Sequence, residues 1–234
     1  MPGIGLLNEK PLHASLKSWY GQPGDRFEVP VEGFVVDIVR DDLLLEIQTS
    51  NLASLKSKVE RLARSHRIRL IHPIAHEKWI VRLARDQGGA LSRRKSPKRG
   101  RVEDLFWEMV GLARLFANRN LSLEVVMIRE EEARRYEAGR RWRRRGWVTD
   151  ERRLLEVVDR RLFGEPADWL ALLPEGFGAF TARDLAEAID VRLELAQRMA
   201  YFLREAGLVK LIGKRGRAHL YAVAMGTEPC IPSS

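Results

Sequence analysis

Apolar positions follow two rhythms in the first half of the chain. Between Leu6 and Tyr20, Leu7, Leu12, Leu16 and Trp19 recur at helical spacing, and the run Gly21-Gln22-Pro23-Gly24 ends that helix. Phe27 to Arg40 is dense in Val, Phe and Ile with a turn or bulge at Glu32-Gly33, which predicts two short strands or one bent strand. Asp41-Asp42 makes a tight turn into a strand over Leu43 to Thr49. It sets Leu44, Glu46 and Gln48 on one face and Leu43, Leu45 and Ile47 on the other. Asn51 is placed to cap a helix from Leu52 to Ser65, with Leu55, Val59 and Leu62 turned inward. Arg67 to Ile74 and Lys78 to Leu83 read as two more strands, and Gly88 to Arg101 as a loop. Val102 to Asn118 reads as a helix with Leu105, Met109, Leu112 and Phe116 inward, and Leu121 to Ile128 as a strand.

Arg140 to Arg145 sets five arginines around Trp142 and reads as a boundary. Beyond it come an apolar segment at Leu154 to Leu162 and a short helix at Trp169 to Leu173. Thr181 then caps a helix to Ile189, and a second helix runs from Leu193 to Ala206, ended by Gly207. Leu208 to Ile212 and His219 to Val223 form a hairpin. This predicts a first domain at 1–138, an Arg-rich linker at 139–153, a second domain at 154–225 and a tail at 226–234.

Composition narrows the function. Hydrophobic residues make up 45% of 234, enough for a packed core. Lys and Arg number 41 against 32 Asp and Glu, a net charge of +9, with a pI near 10.0. Such a chain favours a polyanion, nucleic acid before an anionic membrane surface. The single cysteine, Cys230, excludes an intrachain disulfide framework and a cysteine zinc site. The first ten residues lack a basic stretch followed by an apolar run, and no window approaches 18 apolar residues. A cytoplasmic protein with no membrane partner is expected.

One constellation carries chemistry. Asp37, Glu46 and Gln48 follow the spacing Asp-x8-Glu-x-Gln. Glu46 and Gln48, two apart on a strand, share a face, and a hairpin can bring Asp37 beside Glu46. Two carboxylates at close quarters repel unless a cation sits between them, and hard oxygen ligands suit Mg²⁺ or Mn²⁺. The apolar run from Phe34 to Val39 makes an uncompensated Asp37 costly, and Glu46 interrupts Leu43 to Ile47 in the same way. His72 and His76 stand four apart around Pro73, a spacing that gives metal binding little support.

The segment from Asn8 to Ile74 resembles the core of the PD-(D/E)xK phosphodiesterase superfamily, which includes restriction endonucleases and archaeal Holliday junction resolvases. The resemblance implies an α/β fold, an αβββαβ core with a mixed sheet. Asp37 matches the motif Asp, Glu46 the motif acid, and Gln48 the position usually held by Lys. Glu9 matches an acidic residue that many members use as an extra metal ligand, and the Ile47 carbonyl would complete the site. Gln48 carries no charge but can hydrogen-bond the attacking water. His13, one helical turn from Glu9, is placed to contact a phosphate or a metal-bound water.

Thr181 to Val191, Gln197-Arg198 and Ala206 to Val209 resemble a winged helix-turn-helix. That likeness implies that Arg192, Gln197 and Arg198 face DNA, and that Lys214, Arg215 and Arg217 form a basic wing on phosphate. Arg140, Arg141, Arg143, Arg144 and Arg145 form a candidate phosphate clamp. The expected function is Mg²⁺- or Mn²⁺-dependent hydrolysis of DNA, duplex or branched, by Asp37, Glu46 and Gln48, with no small-molecule cofactor and a homodimer left open. The rival is a non-cleaving DNA-binding protein that keeps the nuclease fold.

Overall fold

The computed structural model describes residues 10–84, 90–137 and 146–224. The chain is α/β, built on a seven-stranded sheet and a separate two-stranded hairpin. It opens with α1 (Pro11–Tyr20), whose proline sits at the first helical position, where its missing N–H costs nothing. The strands β1 (Arg26–Val31), β2 (Phe34–Arg40) and β3 (Leu43–Ile47) follow as an antiparallel meander. Glu32 and Gly33 join β1 to β2 with φ of 48° and 85°, the two-residue turn whose twist matches the strands it joins.

A short 3-10 turn at Leu52–Leu55 leads into α2 (Lys56–Leu62). Asn51 does not cap it: its backbone is left-handed at φ 53°, and its side chain bonds none of the helix amides. The two strands expected around Pro73 are one, β4 (Arg67–Leu83). The expected loop contains β5 (Ala90–Lys95), antiparallel to β4. The helix expected over Val102 to Asn118 is broken into 3-10 segments around a single α turn, α3 (Phe106–Met109).

Two long strands complete the sheet, β6 (Leu121–Tyr136) and β7 (Trp147–Phe163). Residues 147–153, expected in a linker, therefore lie in β7. Strand order is β1-β2-β3-β4-β6-β7, with β5 on β4. Hydrogen bonds between β4 and β6 advance in the same direction, from Ile68 N with Asn120 O to Lys78 with Glu132, so these strands are parallel. Those between β6 and β7 run in opposite directions, Glu132 with Thr149 and Glu130 with Arg152, so these are antiparallel and the sheet is mixed. The chain continues with α4 (Pro166–Leu170), α5 (Ala182–Ala188), α6 (Leu193–Glu205), β8 (Val209–Arg215) and β9 (Ala218–Val223).

The chain divides into two compact units. The first comprises Met1–Thr49, Ile71–Val102 and Val125–Arg161. In its core, Leu12, Leu16 and Tyr20 of α1 pack on Ile38, Leu45, Ile47, Ile71, Val126 and Ile128. Tyr20 rather than Trp19 continues the helical stripe because it stands four residues past Leu16. Trp19 is 45% exposed and lies under the Arg160 guanidinium.

The second unit comprises Ser50–Leu70, Glu103–Glu124 and Leu162–Ser234. Its centre is aromatic. Trp169 packs on Phe163, Phe106, Phe116 and Phe202, with ring centroids 4.5 to 6.3 Å apart. Thr181 and Asp184 form a reciprocal capping box that starts α5. Phe202 is fully buried on α6 while its neighbour Tyr201 is 38% exposed. Phe202→Ala is expected to cost about 3–5 kcal/mol and Tyr201→Ala under about 1 kcal/mol, read from urea denaturation midpoints. Equal losses would show that the aromatic cluster is not the core of this unit.

Candidate functional site

The site expected from the sequence lies in the first unit, where β2 and β3 part. The β2–β3 ladder runs Arg40↔Leu43, Val39↔Leu44 and Ile38↔Leu45. The paired register stops there, one residue short of Asp37 and Glu46. Asp37 Oδ2 accepts the Ile47 N–H at 2.8 Å, an amide that a continued ladder would give to a backbone carbonyl. The same oxygen lies 3.2 Å from His13 Nε2 of α1. One carboxylate thus ties α1, β2 and β3 together. Its side chain is 17% exposed, that of His13 21%, and Glu46 is buried at 8%.

Gln48 stands just past the end of β3. Its N–H donates to Ile71 O at 2.9 Å, and its carbonyl lies 2.7 Å from His72 Nδ1. A carbonyl only accepts, so His72 carries its proton on Nδ1. Arg152 of β7 donates to the next carbonyl, Thr49 O, at 3.0 Å. The backbone after Glu46 is therefore fixed from β4 and from β7.

Behind it lies a charged network that sequence reasoning missed. Glu130 is fully buried and receives Arg152 Nε and Nη2 at 2.9 and 2.6 Å. Lys78 reaches both Glu130 and Glu132 at 2.8 Å, and Glu132 also accepts from Arg134 and Thr149. Burial pushes the Glu132 carboxyl up, but hydrogen bonds from Lys78, Arg134 and Thr149 outweigh it and hold it at about 2. On another cluster, the Lys95 ammonium holds Glu77 below the usual carboxylate range, with Arg129 and Arg99 adding to it. The signal available was the acidic run Glu130-Glu131-Glu132, whose first and third members must share one face if the segment is a strand.

Other expected residues are dispersed. Glu9, Arg140, Arg141, Arg143, Arg144 and Arg145 lie outside the described residues. Arg192, Gln197, Lys214 and Arg217 are exposed. Arg198 is folded back, 5.0 Å over the Trp107 ring and 3.3 Å from Glu194. Arg215 pairs with Asp184 at 2.8 Å, and the Thr181 amide, with Arg215 beside it, holds Asp184 below the usual carboxylate range. Arg183, Leu193, Gln197, Arg217, His219 and Tyr221 line a cleft of about 390 Å³ between α5, α6 and β9.

Among the described residues, no three His, Cys, Asp or Glu side chains gather as a metal cluster, and no helix is long and apolar enough to cross a membrane.

Comparison with known proteins places the chain in a family. The model of a domain of unknown function, DUF8091, matches residues 10–164. The chain belongs to the DUF8091 family. The match runs from the residue before α1 to the end of β7, so the DUF8091 segment contains Asp37, Glu46, Gln48 and the Lys78–Glu130–Arg152 network, and stops short of α4. An uncharacterized protein of Treponema pallidum (strain Nichols) is 32% identical over 224 residues, covering 93% of this chain and 86% of its own length. That similarity extends past the DUF8091 segment into the C-terminal helices and hairpin. No solved structure matches.

The folded pKa of Glu132, about 2, lies below its ordinary 4.5. Ionised Glu132 therefore stabilises the fold above pH about 4.5, and that contribution drains away as pH falls toward 2, on the order of 3 kcal/mol in all. Glu132→Gln should lose stability relative to the parent at pH 7 and converge on it in acid, measured by urea denaturation from pH 7 downward. A stability difference independent of pH would show that the charge of Glu132 does not matter.

Proposed function

We propose that this chain is a metal-dependent nuclease that hydrolyses DNA phosphodiester bonds, and that its C-terminal helices and hairpin are a winged helix that holds the duplex. The order helix, three antiparallel strands, helix, strand from α1 to β4 supports a restriction-endonuclease-like core. The observation that carries the reading is the placement of Asp37. It stands just past the last β2–β3 pair, with its carboxylate on the Ile47 amide, the residue after Glu46. Asp37, Glu46 and the Ile47 carbonyl would hold Mg²⁺ or Mn²⁺. The ion would supply an activated water and neutralise charge on the phosphate. His13 orients the Asp37 carboxylate. Gln48, its backbone held through Ile71 and His72, presents an amide that can hydrogen-bond the attacking water without taking its proton. In the second unit, α5 and α6 followed by β8 and β9 support the winged-helix reading. The cleft carrying Arg183 and Arg217 is the surface suited to phosphate.

A non-cleaving DNA-binding protein is the second reading. It is favoured by the two contacts that Asp37 already makes, to His13 and to Ile47, which are what a purely structural carboxylate would make.

The test incubates the full chain with plasmid, single-stranded and branched DNA in Mg²⁺, Mn²⁺ or EDTA. The parent should cut in metal alone. Asp37→Asn and Glu46→Gln should abolish cleavage and leave DNA affinity within about tenfold, about 1.4 kcal/mol. A parent that binds DNA and cuts none of these substrates in either metal overturns the nuclease in favour of the second reading.

Gln48→Lys should retain or raise the rate, and Gln48→Ala should lower it by about ten- to ten-thousand-fold. Unchanged kinetics in the alanine variant would remove Gln48 from the site.

A further inference from the structure

The segment from Ala90 to Arg101 carries six basic residues, Arg93, Arg94, Lys95, Lys98, Arg99 and Arg101, and no acid. It is not a loose loop. Its first half is β5, paired to β4 from Leu83↔Ala90 to Trp79↔Lys95. Its second half stays on β4: Ser96 N donates to Lys78 O at 2.7 Å and Gly100 N to Ala75 O at 3.0 Å. Gly100 is buried there, and a Cβ on it would stand 2.4 Å from Ala75 O, so only glycine allows this approach. Every residue of β5 is exposed.

The charges are held in place. Arg93 and Lys95 lie over the Trp79 ring, 5.3 and 5.1 Å from its centroid, which reduces the rotamer entropy they would lose on binding. Arg93 pairs with Glu131, while Lys95, Arg99 and Arg129 share the single carboxylate of Glu77. Arg129 also pairs with Glu156, so two carboxylates serve these three cations and one positive charge is left over. Guarding a strand edge against aggregation explains cations on β5 itself. It does not explain Lys98, Arg99 and Arg101, which lie beyond the strand.

The patch also lies near the candidate site. Gln48 is bonded to β4 at Ile71 and His72, and Gly100 at Ala75. Four residues along a strand are about 13 Å at ~3.3 Å each.

We infer that Arg93 to Arg101 is a nucleic-acid track, a preformed row of cations that holds the phosphate backbone of a strand as it passes the Asp37–Glu46 site. The inference rests on the proposed function for the identity of the polyanion. Guanidiniums spaced along an extended backbone suit a repeating phosphate chain.

The test titrates the full chain, in EDTA to prevent turnover, with a fluorescein-labelled 20-base-pair duplex, the same single strand, and phosphatidylserine vesicles. The parent is compared with the combined variant Arg94→Gln, Lys98→Gln, Arg99→Gln, Arg101→Gln, and with Arg94→Glu alone in case the combined variant folds poorly. Thermal melting monitored by circular dichroism checks the fold of both. On duplex, the combined variant should bind at least about tenfold more weakly near 0.1 M salt. Its log–log salt slope should be shallower by up to about 3.6, at roughly 0.9 per phosphate contact, and that of Arg94→Glu by about 1. Parental affinity and slope in folded variants would overturn the track, as would a parent that binds vesicles and neither DNA. Weakened binding in the variants beside a parent that never cuts DNA keeps the track and removes the nuclease. Unaltered binding beside metal-dependent cutting does the reverse.

Discussion

Asp37 sits where β2 and β3 separate, and its carboxylate takes the Ile47 amide that a backbone carbonyl would otherwise receive. The local geometry follows from that contact. The ladder ends, the strand carrying Glu46 is held beside Asp37, and His13 is drawn from α1 to the same oxygen. A half-buried carboxylate in such a position must be neutralised or hydrogen-bonded. Here it is bonded on one oxygen by groups from two elements, an arrangement that fixes its direction.

The same unit solves a harder problem along β4, β6 and β7. Burying Glu130 and Glu132 strips water from two carboxylates, and Lys78, Arg134, Arg152 and Thr149 replace it. Such pairs add little net stability over an apolar core, but breaking one partner is costly. Their positional consequence is clearer. Arg152 spends two donors on Glu130 and a third on Thr49 O, so the buried charge network sets the backbone that follows the candidate site.

What the sequence disclosed depended on whether a segment had an apolar face. α1 was legible from Leu12 and Leu16, β2 and β3 from their Val, Ile and Leu runs, and α5 from Thr181. β7 was not, because Glu151, Arg152 and Arg153 read as solvated charge although Arg152 turns inward to Glu130. β5 had no inward face to reveal: it is a strand because β4 offers a partner edge and Gly100 permits close approach. The site itself was half legible. Asp37 and Glu46 stood out as acids in apolar strands. His13 reaches Asp37 across 24 residues, and no local pattern announces a contact of that range. The clamps on the carbonyls of Gln48 and Thr49, from His72 and Arg152, depend in the same way on sheet order.

Asp37 and Glu46 are proposed to form a cation site. Isothermal titration calorimetry of the full chain with Mn²⁺, in the absence of nucleic acid, tests it most directly when the parent is compared with Glu46→Gln. The parent should bind Mn²⁺ saturably, and Glu46→Gln should lose that binding. Identical isotherms for parent and variant, or no binding by the parent into the millimolar range, would contradict the proposed site.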